Sequence, residues 1–262
     1  MTTLLADYDR ERQAFEALLT PDCRKRILLF CGASGCGKTT LLSACLEQVP
    51  AAIPCIPIQL RGSAVSVAEV FYRSGHRLSW ERLSRFTAQV ATLQGVPQVQ
   101  IDHNWLLGIN NRISVALHAE EPTDREHRRA ALTEAWFQDL QAFDHPVLMA
   151  LDTYEQATAA VTAWIDGPFL SRVAQVSQLR VLLAGQEVPE AHNIEWGHCC
   201  TAHHLCGVPE AEHWWPIVEA MNRRVNVPDP RSWLAGVCHA LGGRPKEIMQ
   251  VIQDLPRRGR EA

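Results

Sequence analysis

The residues Gly32-Ala33-Ser34-Gly35-Cys36-Gly37-Lys38-Thr39 spell G-x-x-x-x-G-K-T, with Thr40 directly after them. These types at this spacing suit the cradling of a phosphate chain. Glycines let successive backbone N–H groups converge on phosphate oxygens at a helix N-terminus, where the helix dipole also favours an anion. Lys38 is spaced to reach β- and γ-phosphates, and Thr39 to offer its hydroxyl to Mg²⁺. The candidate phosphate contacts are therefore Gly32, Ser34, Gly35, Cys36, Gly37, Lys38, Thr39 and Thr40.

Such a loop needs a carboxylate from a neighbouring strand end to hold the metal. Val147-Leu148-Met149-Ala150-Leu151-Asp152 supplies one, because open α/β sheets gather ligands at the C-terminal ends of their strands. Thr39 and Asp152 are the expected Mg²⁺ residues. Glu155, three residues on, is placed to polarise an attacking water as general base. Asp144 precedes the strand and so falls at the wrong edge of a sheet.

The elements that must position these groups are legible as hydrophobic patterns. Ile27 to Cys31 is a short unbroken apolar run, the mark of a strand buried in a parallel sheet. Residues 55–60, Val147 to Leu151, Leu179 to Ala184 and 200–206 read as further strands, with Pro57 pointing to an edge. Residues 8–19 and about 38–48 read as helices flanking the loop. Residues 64–121 form a helical insertion. Ser66 and Glu69 make a capping box there, residues 80–93 read as helix, and 94–111 read as loop. Thr123 and Glu126 suggest a second capping box. It opens a helix bearing Leu132, Ala135, Trp136, Leu140 and Phe143 on one face. Residues 157–176 read as one or two helices broken near Gly167-Pro168. After residue 207 only helices follow: Pro209 to Arg223, one capped at Asp229-Pro230, and Pro245 to Leu255. Strands alternating with helices imply an α/β fold with a covered parallel sheet. The expected division is a nucleotide-binding core over 1–206 and a helical lid over 207–262.

Composition narrows the class. A chain of 262 residues buries a large core without covalent staples. Its formal net charge of −4 argues against nucleic acid as the partner. Nine cysteines, an odd number without regular spacing, read as reduced thiols, so a cytoplasmic setting is expected. No apolar run reaches the ~20 residues of a membrane span. The first ten residues carry Asp7 and Asp9 and lack the basic start of a secretory signal.

The order of these elements resembles the STAND class of P-loop NTPases, signal-transducing relatives of the AAA+ proteins. It consists of a strand with its phosphate loop, a long insertion, and a strand ending in Asp-x-x-Glu. Leu179-Arg180-Val181-Leu182-Leu183-Ala184-Gly185-Gln186 then follows. Tyr8-Asp9-Arg10-Glu11 resembles the entry motif of that class, with Asp9 where glycine is usual. Gly242-Gly243-Arg244-Pro245 resembles its Gly-x-Pro lid motif. The likeness covers about residues 7–255. It implies a parallel sheet of order 5-1-4-3-2 beneath a helical lid, ATP or ADP with Mg²⁺ as ligands, and a nucleotide switch controlling self-assembly. It implies Arg10 near the base or lid, Pro245 against adenine, and Gln186 at the γ-phosphate. Arginine is common at the Gln186 position, and glutamine supplies no charge to a transition state, so slow hydrolysis is expected. Arg244, ahead of Lys246, is the favoured lid cation for the phosphates. Arg172 and Arg180 are candidates to act on a neighbouring subunit's nucleotide.

Other clusters weigh less. His198-Cys199-Cys200-Thr201-Ala202-His203-His204-Leu205-Cys206 holds metal-ligand types, but a strand points alternate residues to opposite faces. Trp214-Trp215 reads as helix core. The basic tail Arg257-Arg258-Gly259-Arg260 reads as a frayed terminus. The leading expectation is thus a Mg²⁺-ATP switch whose sensing and effector functions lie on protein partners. A nucleotide-holding adaptor and a DNA-directed AAA+ ATPase are the alternatives.

Overall fold

The computed structural model describes residues 3–62, 65–95, 105–106 and 108–257. Five parallel strands, β1 (Ile27–Cys31), β2 (Cys55–Gln59), β3 (Val147–Asp152), β4 (Leu179–Gly185) and β5 (Cys200–His204), form one sheet. Their order is β5-β1-β4-β3-β2, the one the resemblance implies. β3 and β4 are buried along their whole length, and β1 through its first four residues, which is why they read as unbroken apolar runs. The two edge strands alternate instead. Pro57 lies in edge strand β2, where a missing N–H need not interrupt the ladder.

The period of two divides the core into two clusters. Ile27, Leu29, Met149, Leu151, Val181 and Leu183 face one side, and Leu28, Phe30, Leu148, Ala150, Leu182 and Ala184 the other. On the first side pack α3 (Val67–Leu78), α4 (Ser84–Leu93), α5 (Ile109–Leu117), α6 (Pro122–Leu140), α7 (Ala159–Trp164) and α8 (Leu170–Val173). Phe71, Phe86, Trp136, Phe137, Trp164 and Phe169 knit this layer, the tightest pair being Trp164 and Phe169 at 4.7 Å between ring centroids. On the second side lie α1 (Asp9–Leu18) and α2 (Lys38–Glu47). They share a cluster with the C-terminal helices α9 (Ala211–Ala220), α10 (Pro230–Ala240) and α11 (Pro245–Asp254).

Local signals explain most boundaries. Ser66 Oγ accepts from the Glu69 N–H and opens α3, and Asp229 accepts from the Ser232 N–H and opens α10. The second capping box is corrected. Pro122 occupies the first turn of α6, the cap is Glu121 without a side-chain bond, and the Glu126 carboxylate pairs with Arg129. The expected loop over 94–111 is corrected in part, since α5 begins at Ile109. Residues 96–104 and 107 lie outside the described residues, as do 258–260 of the basic tail. The break expected at Gly167-Pro168 is one wide π turn, Ile165–Phe169, that holds Pro168 and carries α7 directly into α8.

One buried carboxylate fastens the inserted layer. Asp139 of α6 accepts from the N–H groups of Arg85, at 3.2 Å, and Phe86, at 2.8 Å, and so caps α4 from outside its own chain segment. Burial pushes its carboxyl above the usual aspartate value, against the pull of these bonds. Asp139→Ala leaves both donors unpaired, that of Phe86 buried, so a loss of about 1–3 kcal/mol is expected by chemical denaturation. An unchanged midpoint and slope would contradict this role.

Candidate functional site

The loop between β1 and α2 turns sharply enough to present its backbone to a ligand because Gly37 takes a left-handed conformation, φ +88°. A Cβ there would come into ordinary contact with the Tyr8 ring, 3.5 Å away, and with Pro245, 3.7 Å away, so it is the backbone conformation that calls for glycine. The Lys38 ammonium donates to the carbonyls of Gly32 at 2.7 Å and Ala33 at 2.9 Å. Thr39 Oγ1 donates to Asp152 Oδ2 at 3.0 Å. The other oxygen of that nearly buried carboxylate accepts from the Thr153 N–H at 2.9 Å. Two oxygen-bearing side chains thus meet under the phosphate loop at the C-terminal edge of the sheet. A hard cation such as Mg²⁺ favours such oxygen donors, with waters completing its shell.

Glu155 rises beside them on a short turn, Tyr154–Gln156, entered through Thr153 at φ +62°. Its two carboxylate oxygens accept from the backbone N–H of Gln186 at 2.8 Å and from Gln186 Nε2 at 3.1 Å. Burial pushes the Glu155 carboxyl up. The bonds from Gln186, with the Lys38 charge beyond, outweigh it and hold the group below the ordinary glutamate value. The approach depends on Gly185 at the end of β4, where a Cβ would lie 3.1 Å from Glu155 Oε2 and 2.3 Å from the Glu187 carbonyl.

The entry segment and the C-terminal helices close the other wall. The Tyr8 hydroxyl donates to the Cys36 carbonyl and lies 3.2 Å from that of Cys206, joining the entry segment, the loop and the exit of β5. Its phenol is pushed well above the usual tyrosine value, chiefly by burial and then by Cys36 and the acids Glu11 and Asp7. The Lys246 N–H at the start of α11 donates to the Gly35 carbonyl at 3.1 Å. Trp214 is buried, with its indole N–H on the Val208 carbonyl at 2.8 Å.

These groups enclose a cavity of about 590 Å³. Ser34, Gly35, Gly37, Lys38, Thr39 and Thr40 line its floor, and Asp152, Glu155 and Gln186 its sheet side. Leu4, Leu5, Ala6, Tyr8, Val208, Trp214, Pro245 and Met249 form an apolar wall. Gly32 and Cys36 shape the loop from behind, the former through its carbonyl. Two expected residues are placed elsewhere. Arg10 is exposed and borders a separate groove with Asp7, Asp9 and His204. Arg244 is exposed and pairs with Glu247 at 3.0 Å, whereas its neighbour Lys246 lines the cavity. Arg180 is buried in β4 with its guanidinium on the carbonyls of Leu18 and Ser177, and Arg172 pairs with Glu134, so both are engaged within the chain. Cys199 and Cys200, at the start of β5, are buried and Cys206 beyond it is exposed; burial pushes the Cys200 thiol up to about 12, and among the described residues no three metal-ligating side chains converge. Gln59 and Arg61, which also line the cavity, had no motif to announce them.

No protein-family model and no curated protein matches the sequence. Solved structures match the fold. A Walker-type ATPase of Pyrococcus abyssi superposes on 96% of this chain and 69% of its own, at 15% identity and a TM-score of 0.52. The Orc1 protein of Aeropyrum pernix, solved in complex with DNA, covers 96% of this chain and 59% of its own, at 13% identity and a TM-score of 0.47. The first likeness, with the sheet order, shows the P-loop NTPase fold. Among the described residues no helix is long and apolar enough to cross a membrane.

The Glu155–Gln186 pair adds stability above the unfolded glutamate pKa of about 4.3, lost as pH falls through the lowered folded value. In a carboxyl-carbon NMR titration Glu155 is expected below that value, and higher in Gln186→Ala, where burial loses part of its opposition. An ordinary, unmoved value in both proteins would contradict the pairing.

Proposed function

We propose that this chain is a Mg²⁺-ATP-dependent molecular switch of the STAND type that hydrolyses its nucleotide slowly. The observation that carries the reading is the 3.0 Å meeting of Thr39 and Asp152 directly beneath a complete phosphate loop. Bound Mg²⁺ would be held by these two residues and would neutralise charge on the β- and γ-phosphates.

The chain's own groups then have separate tasks. Lys38 exchanges the carbonyls of Gly32 and Ala33 for phosphate oxygens. The loop N–H groups and the α2 N-terminus receive the rest of the anion. Glu155 orients the attacking water. Because Gln186 occupies both of its oxygens and lowers its basicity, turnover is slow. The Tyr8 ring and Pro245, which flank Gly37, support a base held between the entry segment and the lid. Lys246 takes the lid cation's part that Arg244 was expected to play.

Residues 207–262 act in this reading as the lid over the 1–206 core. The backbone bond from Lys246 to Gly35 links a change in the loop to α11, the element through which nucleotide state would bias assembly or release of a protein partner. The net charge of −4 favours protein partners over DNA.

Titration with ATP and ADP, using Lys38→Ala as control, is expected to show binding by the wild type that the variant loses. Light scattering should then give a larger mass with a non-hydrolysable ATP analogue than with ADP. Binding no tighter than in Lys38→Ala would overturn the nucleotide reading, and an unchanged mass would overturn the assembly switch.

A further inference from the structure

The terminal phosphate of a triphosphate is where charge accumulates, yet the phosphate loop offers it one cation, Lys38, the lid adds Lys246, and the polar group beyond β4 is a neutral glutamine engaged with Glu155. Arg61 is a further cation at this cavity. It follows edge strand β2, whose Gln59 pairs in register with Asp152, and the N–H of Leu60, the residue just past the strand, donates to the Asp152 carbonyl at 2.9 Å. The chain is therefore pinned to the metal-binding aspartate one residue before Arg61, and Gly62 turns it away at φ +102°. Arg61 lines the same cavity as Lys38, Thr39, Asp152 and Gln186. Among the described residues its guanidinium has no carboxylate, carbonyl or aromatic partner. By contrast Arg172, Arg180 and Arg244 are each engaged within the chain.

We infer that Arg61 is a γ-phosphate contact supplied by the chain itself, so that the site distinguishes a nucleoside triphosphate from a diphosphate. The inference rests on the nucleotide reading of the cavity. A planar guanidinium offers two parallel donors to phosphate oxygens, a geometry that neither Gln186 nor a lysine provides. Its position beyond β2, on the Asp152 side of the sheet, suits the end of a phosphate chain that begins at the loop.

The test is calorimetric titration of Mg²⁺-ADP and a Mg²⁺-bound non-hydrolysable ATP analogue into wild type, Arg61→Ala, Arg61→Lys and Lys38→Ala. Arg61→Ala is expected to weaken the ATP analogue about tenfold or more while ADP changes by less than about twofold, with Arg61→Lys between. Equal weakening of both nucleotides, or none of either, would overturn the contact. If wild type binds both nucleotides and Arg61→Ala matches it, only the role of Arg61 fails. If wild type binds neither, the nucleotide reading fails and this inference with it.

Discussion

Everything in the site depends on bringing the Thr39 hydroxyl to the Asp152 carboxylate. Their strands are not neighbours. β4 lies between β1 and β3, so the two chain ends start about 10 Å apart, two strand spacings. The phosphate loop and the first turn of α2 must cross the end of β4 to close that gap. Gly185 ends β4 without a side chain and so leaves room for the Tyr154–Glu155 turn beside it. The parallel registers of β1 with β4 and of β4 with β3 then hold the three ends level. The long apolar runs matter for this reason: burial on both faces fixes the strands against slippage, and a slip of one residue would turn Asp152 out of the site.

The two helical layers serve this edge differently. The inserted layer packs on the side of Ile27, Met149 and Val181 and supplies mass and rigidity, with Asp139 tying α6 to α4. The opposite layer reaches the loop itself. Tyr8 bonds Cys36, Lys246 bonds Gly35, and the Val208 N–H bonds Gly243 at 2.6 Å, so entry segment, loop, β5 exit and C-terminal helices form one connected network. A ligand that moves the loop must act on all of them. Glu155 and Gln186 hold each other from the sheet side, a pairing that keeps this wall of the pocket shaped.

Much of this was legible in the residues because the relevant signals are local. The loop motif, the buried strands, the aspartate ending β3, the edge proline and the caps at Ser66 and Asp229 each depend on a few consecutive residues. What escaped depends on residues distant in sequence. Glu126 fits a capping pattern, but Pro122 sets the start of α6 and Arg129 takes the carboxylate. α5 carries Asn110, Asn111 and Ser114 and follows Gly108, so its helical character comes from packing against α3 and α4 rather than from propensity. The entry motif names Arg10, yet left-handed geometry at Asp7 and Tyr8 turns the tyrosine to the loop while Arg10 stays exposed. Arg61 has no motif at all: it is one arginine after an edge strand, and only the sheet order sets it beside Asp152.

The central claim is that Thr39 and Asp152 together make a metal-assisted nucleotide site. The most direct test is nucleotide affinity with Mg²⁺ and with a chelator, in wild type and in Asp152→Asn, which keeps the shape of the side chain and removes its charge. Mg²⁺ is expected to tighten binding in wild type and to have little effect in Asp152→Asn. Affinity indifferent to Mg²⁺ in the wild type, or the same Mg²⁺ dependence in both proteins, would contradict the account.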